Sequence, residues 1–452
     1  MTGQIAEVRF GRLERRGLLL GLSPAQLALT GTALVVLVAS GMTAGPVGIL
    51  VGAPAWAGLL VVALAPVGGR PLVESLPVVV PWAARRLFRR HVALRSPGAL
   101  PVLSIPGVPG RLRITADAAT GAALIRPGRG RGAVTVVARL RGRGFLLEDA
   151  TTQQHRVAGW GRLLGSLGQL PHVTGAQVLH RACGDGGRDV QQWWAAQAGT
   201  GAWAEHVLTS LVDDAGGSSR VESLLAITLR PRRDVEIGSA LRSLADAVRA
   251  ADLDLDVWLT PRQAATVIRQ AYDPAADPDS TDVAPMGVVE QWSHARSDSG
   301  FHATFWISEW PRYATQPGFL RSLLLAPGAH RTFSLTAEPL PSGKALREIR
   351  RARAEQLADA ATRARVGQVE DEAARAAAAE LTRREEDLIA GHGDLRFTGL
   401  IAVTASNPAE LEDACASLQA SAGQAGCELR RLVGQQVQAF AAAALPLGRV
   451  MA

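Results

Sequence analysis

From Gly17 to Gly69 the chain carries no Asp, Glu, Lys or Arg. The run divides near Gly41–Pro46 into two apolar stretches, Pro24–Gly41 and Pro46–Val67. Each is close to the ~20 residues that a bilayer core requires, and Gly45-Pro46 supplies a tight turn. This pattern predicts a transmembrane helical hairpin over 24–67, preceded by a basic segment over 1–23. A signal peptide is shorter and has no second apolar segment. Residues 68–97 then mix apolar and basic positions. Pro71, Pro77 and Pro81 are expected to break the second helix as it leaves the bilayer. Leu76, Val79, Val80, Leu87 and Phe88 can face lipid, so the segment reads as an interfacial elbow.

After Pro97 the periodicity shortens. Arg111–Thr115, Gly121–Pro127, Ala133–Gly142 and Gly144–Asp149 read as strands separated by glycine-rich turns. Apolar spacing predicts a helix over 150–167. A strand over 172–183, helices over 189–198 and 202–214, and a strand over 219–230 follow. A helix over 237–251 and a strand over 255–260 complete a first α+β domain, 98–271. The Pro- and Asp-rich stretch 272–289 reads as a linker loop. The second α+β domain, 290–452, has strands over 302–312 and 330–340 with a short helix between them. A long Ala/Arg/Glu helix over 342–390, a strand over 395–405 and a helix over 408–425 capped by Asn407 follow. Its strand–helix–strand rhythm suggests a ferredoxin-like sandwich with an antiparallel sheet. The fold class is α+β, with two such sub-domains behind the hairpin.

Charge gives orientation. Arg15 and Arg16 precede the first apolar stretch, and Arg70, Arg85, Arg86, Arg89 and Arg90 follow the second. The positive-inside rule then places both termini in the cytoplasm of a multi-pass protein of the inner (plasma) membrane. The same arginines, with Trp82 at the interface, are the candidate contacts to anionic headgroups. The formal net charge of +7 over 452 residues is carried almost wholly by arginine, Lys344 being the only lysine. Much of this charge crowds the apolar segment, so it does not argue for nucleic acid and no direct nucleic-acid binding is predicted. Three cysteines, Cys183, Cys415 and Cys427, form no C-x-x-C pair and fit a reducing compartment.

Candidate chemistry is sparse. A P-loop needs G-x-x-x-x-G-K-[ST]; Gly343-Lys344 is followed by Ala345, and no glycine stands five positions before Gly343. Gly128–Gly132 reads as a hairpin turn. There is no H-E-x-x-H or G-x-S-x-G. His294 and His302 lie near Glu290 and Asp298, a grouping more typical of a polar loop rim than of a metal site. No catalytic residue, cofactor or metal is expected.

The layout then becomes informative as a whole. A basic N-terminus, an apolar hairpin, Gly69–Pro77 ("GRPLVESLP") and this α+β body resemble a family of actinobacterial membrane proteins encoded with conjugation-type (type IV) secretion genes. His330–Ile349, the Arg/Glu-rich helix, Phe397–Ala443 and the tail Ala444–Gly448 ("ALPLG") resemble the amino-terminal domain of the conjugation ATPase. The hairpin is similar to the two-helix membrane subunit that partners it. The resemblance implies that subunit joined to an ATPase-type domain without the motor. It also implies a non-catalytic scaffold whose partners are a separate secretion ATPase, other membrane subunits and further copies of itself. The same layout also resembles the accessory E component of type VII secretion. A membrane-anchored hydrolase with an unrecognised site is the alternative of another class.

Overall fold

The computed structural model describes residues 24–67, 70–94, 100–128, 132–141, 148–170, 172–184, 194–196, 202–214, 219–231, 235–274, 276, 283–311, 315–325, 330–340, 342–365, 372–389 and 394–448. They fall into two compact units, 24–92 with Val433–Gln435, and 93–432 with 436–448. The expected helix over 189–198 is described only at 194–196, and residues 142–147 of the expected strand lie outside the described set.

In the first unit, α1 (Pro24–Leu64) is the one described helix long and apolar enough to cross a membrane. It is interrupted at Ala44 and at Gly45, whose φ of 57° suits glycine. Gln26 Nε2 donates to the carbonyl of Ala63, 37 residues on, at 3.0 Å. A straight helix would separate those residues by about 55 Å, so the parts on either side of the interruption lie against each other. Small residues permit the approach: a Cβ on Gly48 would fall 2.0 Å from the Ser40 carbonyl oxygen. The short strands Pro66–Val67 and Arg70–Pro71 pair as a turn and lead into α2 (Leu72–Leu87). Here the structure differs from the sequence expectation. Pro77 and Pro81 sit inside α2 rather than ending α1.

The second unit is a mixed α+β body with an antiparallel sheet. Its elements begin with β1 (Val102–Leu103), β2 (Leu112–Ala116), β3 (Ala123–Pro127) and β4 (Val134–Arg141). Next come α3 (Ala150–Gln169), β5 (Val173–Gly184), α4 (Ala202–Asp214), β6 (Ser219–Leu229), α5 (Val235–Ala250), β7 (Asp254–Trp258) and α6 (Pro261–Tyr272). The chain continues through β8 (Gly287–Glu290), β9 (Ala295–Ser297), β10 (Phe301–Glu309), α7 (Arg321–Leu324), β11 (His330–Leu340), α8 (Ser342–Arg365) and α9 (Glu372–Ile389). It closes with β12 (Asp394–Ala405), α10 (Pro408–Gln424), β13 (Glu428–Arg431) and α11 (Gln436–Ala444).

Strand pairing shows that the body is built twice. β4 lies between β7 and β6, and β6 pairs in turn with β5, giving the spatial order β7–β4–β6–β5. β10 lies between β13 and β12, and β12 pairs with β11, giving β13–β10–β12–β11. Both are strand–helix–strand, strand–helix–strand units with the same neighbour order. A hairpin precedes each one, and its second strand meets the first residues of the unit at Ile125↔Thr135 and Ala295↔His302. A helix follows each fourth strand, α6 in one and α11 in the other. Helices also interrupt the step from second to third strand, α4 in one and α8–α9 in the other. The units join where β5 pairs antiparallel with β11, Arg331↔Ala182 through Ala337↔Ala176. The sequence expected two domains joined by a linker; one continuous sheet runs through both instead.

Alternation decides which side chains go where. Val134 and Val136 face α3 and α5, while Val137 faces the opposite side with Leu179, Leu224, Leu400, Ala402 and α11. A strand covered on both faces tends to a near-continuous apolar run, as Val136, Val137 and Ala138 make within β4. In α5, Ile237, Leu241, Leu244 and Val248 recur at helical spacing and are buried. Gly159 lets α3 close on the end of α5, since a Cβ there would lie 2.1 Å from the Ala251 carbonyl oxygen. Phe305, Phe333, Ile401 and Val403 pack against α10 in the second repeat. Its first turn is capped by Asn407 Oδ1, which accepts from Glu410 N at 2.9 Å. The outer strands β7 and β13 are short and carry alternating charge; Asp256 of β7 pairs with Arg141 at 2.7 Å.

The single long helix expected over 342–390 is two helices. Arg353 Nη1 reaches Glu385 Oε2 at 2.6 Å, a pair that one straight helix would hold about 48 Å apart. α8 and α9 therefore lie side by side as an arm.

Candidate functional site

The candidate membrane-contacting residues group on α2 and the turn after it. Val80, Leu87 and Phe88 are exposed large apolar side chains. Arg86, Arg89 and Arg90 are exposed beside them, and Trp82 is half-buried. The Arg86 guanidinium lies 5.4 Å from the Trp82 ring centroid, a cation–π contact that fixes both groups. The helix ends in a double bond: Arg90 N donates to Arg85 O at 2.7 Å and Arg89 N to Arg86 O at 3.2 Å. This is the glycine-type C-cap, yet Arg89 occupies the left-handed position at φ 53°. An arginine held there costs about 1 kcal/mol, and the turn sets Arg86, Arg89 and Arg90 within five residues of one another. Arg85 is directed elsewhere: its Nη2 donates to the carbonyl of Gly434, within the same compact unit. Arg70 stands in the short strand before α2. Arg15 and Arg16 lie outside the described residues.

The interior of the body is unusually polar for a sheet core. On the face that carries α11, Gln177 is fully buried. Its Nε2 donates to Ser334 Oγ and to Ala442 O, both at 2.9 Å, and its Oε1 accepts from Gly448 N at 2.8 Å. Thr135 Oγ1 donates to Leu447 O at 3.1 Å. The tail that follows the second repeat is thereby bound to the first at Leu447 and Gly448. Gln436 Oε1 accepts from Thr304 N at 2.9 Å, and Val437 N donates to Glu290 Oε1 at 3.4 Å.

The two histidines that the sequence groups with Glu290 and Asp298 are held by neighbouring hydroxyls. His302 is buried between Ser297 Oγ, 2.8 Å from Nε2, and Thr404 Oγ1, 2.9 Å from Nδ1. Its ring also stacks against Phe440 at 4.3 Å. His294 Nδ1 meets Ser293 Oγ at 3.2 Å, and Asp298 accepts from the backbone of Met286 and Gly287. Among the described residues no group of three or more His, Cys, Asp or Glu is placed to hold a metal ion. Lys344 is exposed in the first turn of α8.

Desolvation pushes the His302 imidazolium down to about 3. His180, His294 and His330 are shifted in the same direction, first of all by burial. A histidine buried neutral contributes stability that is whole above its unfolded value near 6.5 and is lost as pH falls from there towards 3. The body should therefore lose up to ~1.4 kcal/mol of stability per pH unit for His302 alone below about pH 6. Denaturant midpoints measured at pH 7, 5.5 and 4.5 check this. In His302→Gln the slope should be visibly shallower; an unchanged slope would contradict the assignment.

Sequence reading missed α6. Its signal was present in Thr260-Pro261-Arg262-Gln263: Pro261 opens the helix, and Thr260 with Gln263 forms a reciprocal capping box. Neither a search of protein-family models nor one of curated proteins finds a match to the chain.

Proposed function

We propose that this chain is a non-catalytic, membrane-anchored scaffold of a type IV (conjugation-like) secretion machine, holding a separate cytoplasmic ATPase beside the bilayer. The observation that carries the reading is the succession from α1 to α2. A charge-free helix, doubled back on itself and with few buried residues, is followed by an amphipathic helix with Trp82 and Arg86 in contact. The Gln26–Ala63 bond supports a transmembrane hairpin, since a buried polar side chain between helices is best satisfied by a facing backbone carbonyl. The arginines on both flanks support cytoplasmic termini and attraction to anionic headgroups. The neighbour order of each repeat supports two ferredoxin-like units. A membrane anchor raises the local concentration of whatever the body binds without new chemistry.

Two measurements test the proposal. A cysteine at Thr43 should react with a membrane-impermeant maleimide on intact cells. Labelling seen only after permeabilisation would invert the topology. Pull-down of the detergent-solubilised full chain should recover a P-loop ATPase encoded nearby. The charged outer strands make the α8–α9 arm the better docking element, so deleting 342–390 should cut recovery roughly tenfold, about 1.4 kcal/mol of contact. Recovery of type VII core subunits alone would transfer the chain to that machine.

A further inference from the structure

Two basic side chains at the junction of the repeats have buried nitrogens without a partner among the described residues. Arg331 on β11 is only 4% exposed. Its Nη2 donates to Ser417 Oγ of α10 at 3.1 Å, while Nε and Nη1 meet no hydrogen-bond partner among the described residues. His180 on β5 shares a bond between Nδ1 and Ser223 Oγ at 3.2 Å, and its Nε2 likewise has no partner among the described residues. The register sets Arg331 opposite Ala182 and Phe333 opposite His180. Arg331 and His180 therefore point to the same face at diagonal positions, within reach of long side chains. An unpaired guanidinium is among the costliest groups a fold can bury. The nearby thiol of Cys415 supplies no counter-charge, because burial pushes it up to about 11 and keeps it neutral. Val221, opposite Ala182 on the same face, is 45% exposed, so this end of the junction opens to solvent.

We propose that Arg331 and His180 form a binding site for an oxyanion, a phosphate or carboxylate group that enters beside Val221 where the two repeats join. All the free positions are donors when His180 carries its proton on Nε2 and accepts from Ser223 on Nδ1. An acceptor-only group satisfies them together. Water fits less well, since Ala182, Val221 and Phe333 offer its own hydrogens no side-chain acceptor.

The test is thermal unfolding of the full chain in detergent micelles, with sodium phosphate or sodium acetate replacing chloride at constant ionic strength. Wild type should gain about 3–6 °C at saturating anion. The anion giving the larger gain identifies the group as phosphate or carboxylate. Arg331→Met should melt higher than wild type in chloride and gain nothing from either anion. His180→Gln, which keeps the volume but weakens the donor set, should gain less than half the wild-type shift. No shift in wild type with 50 mM of either anion, or equal shifts in wild type and Arg331→Met, would overturn the site; roughly 50 mM is ample for a specific anion pocket.

Discussion

Glu222→Ala should be the most damaging single substitution in the first repeat, lowering stability by about 3–5 kcal/mol. The carboxylate joins two arginines on one face of the sheet. Its Oε1 accepts from Arg139 Nε at 2.9 Å and Nη2 at 2.8 Å, and its Oε2 accepts from Arg181 Nη1 at 3.1 Å. The Arg181 side chain is 2% exposed and cannot reach water once its partner is gone. The loss comes from that stranded charge rather than from the strength of the pair. Accordingly, Arg181→Met combined with Glu222→Met should restore most of the stability, because apolar groups of similar volume replace a buried ion pair at little cost. Urea denaturation of the single and double variants separates these effects. A single-variant loss under about 1 kcal/mol would show that Arg181 finds another partner or water.

Gln177→Leu should cost about 3 kcal/mol, spread over three buried bonds. The substitution leaves Ser334 Oγ, the Ala442 carbonyl and Gly448 N–H without this partner. Since those atoms belong to the second repeat and the tail, the damage should be distributed. The tail over 436–448 should become the first site of limited proteolysis, while Ser334→Ala, which removes one partner, should cost about 1 kcal/mol and leave the tail protected. Gly448 leaves little room for adjustment: at φ 60°, a Cβ there would lie 2.1 Å from Thr228 Oγ1. Equal protease resistance in Gln177→Leu and wild type would remove the tail-anchoring role.

Local elements were legible in the chain, and long-range ones were not. β11 and α4 fall on the residues their periodicity marks, because a strand covered on both faces and an amphipathic helix each write their period directly into sequence. The Asn407 cap was equally plain. The β5–β11 pairing joins residues about 150 positions apart, and nothing in either strand names its neighbour. The repeat was hidden for the same reason: its two copies share neighbour order and not residues. The division of 342–390 into α8 and α9 was masked by a composition rich in Ala, Arg and Glu, with Gly367 the chief hint. At the candidate membrane-contacting site, Trp82 and the arginines were readable as composition. That Arg86 stacks on Trp82 while Arg85 turns to a backbone carbonyl depended on the αL turn at Arg89, which no arginine advertises.

The charged outer strands have a consequence for assembly. β7 presents Asp254 and Asp256, and β13 presents Glu428 and Arg430, so these two strands resist the strand-by-strand accretion that turns open sheets into fibrils. Packed at high density, such bodies would crowd without joining through these strands. Sheet growth has no natural stopping point, and charge at these two strands removes it as a route of association.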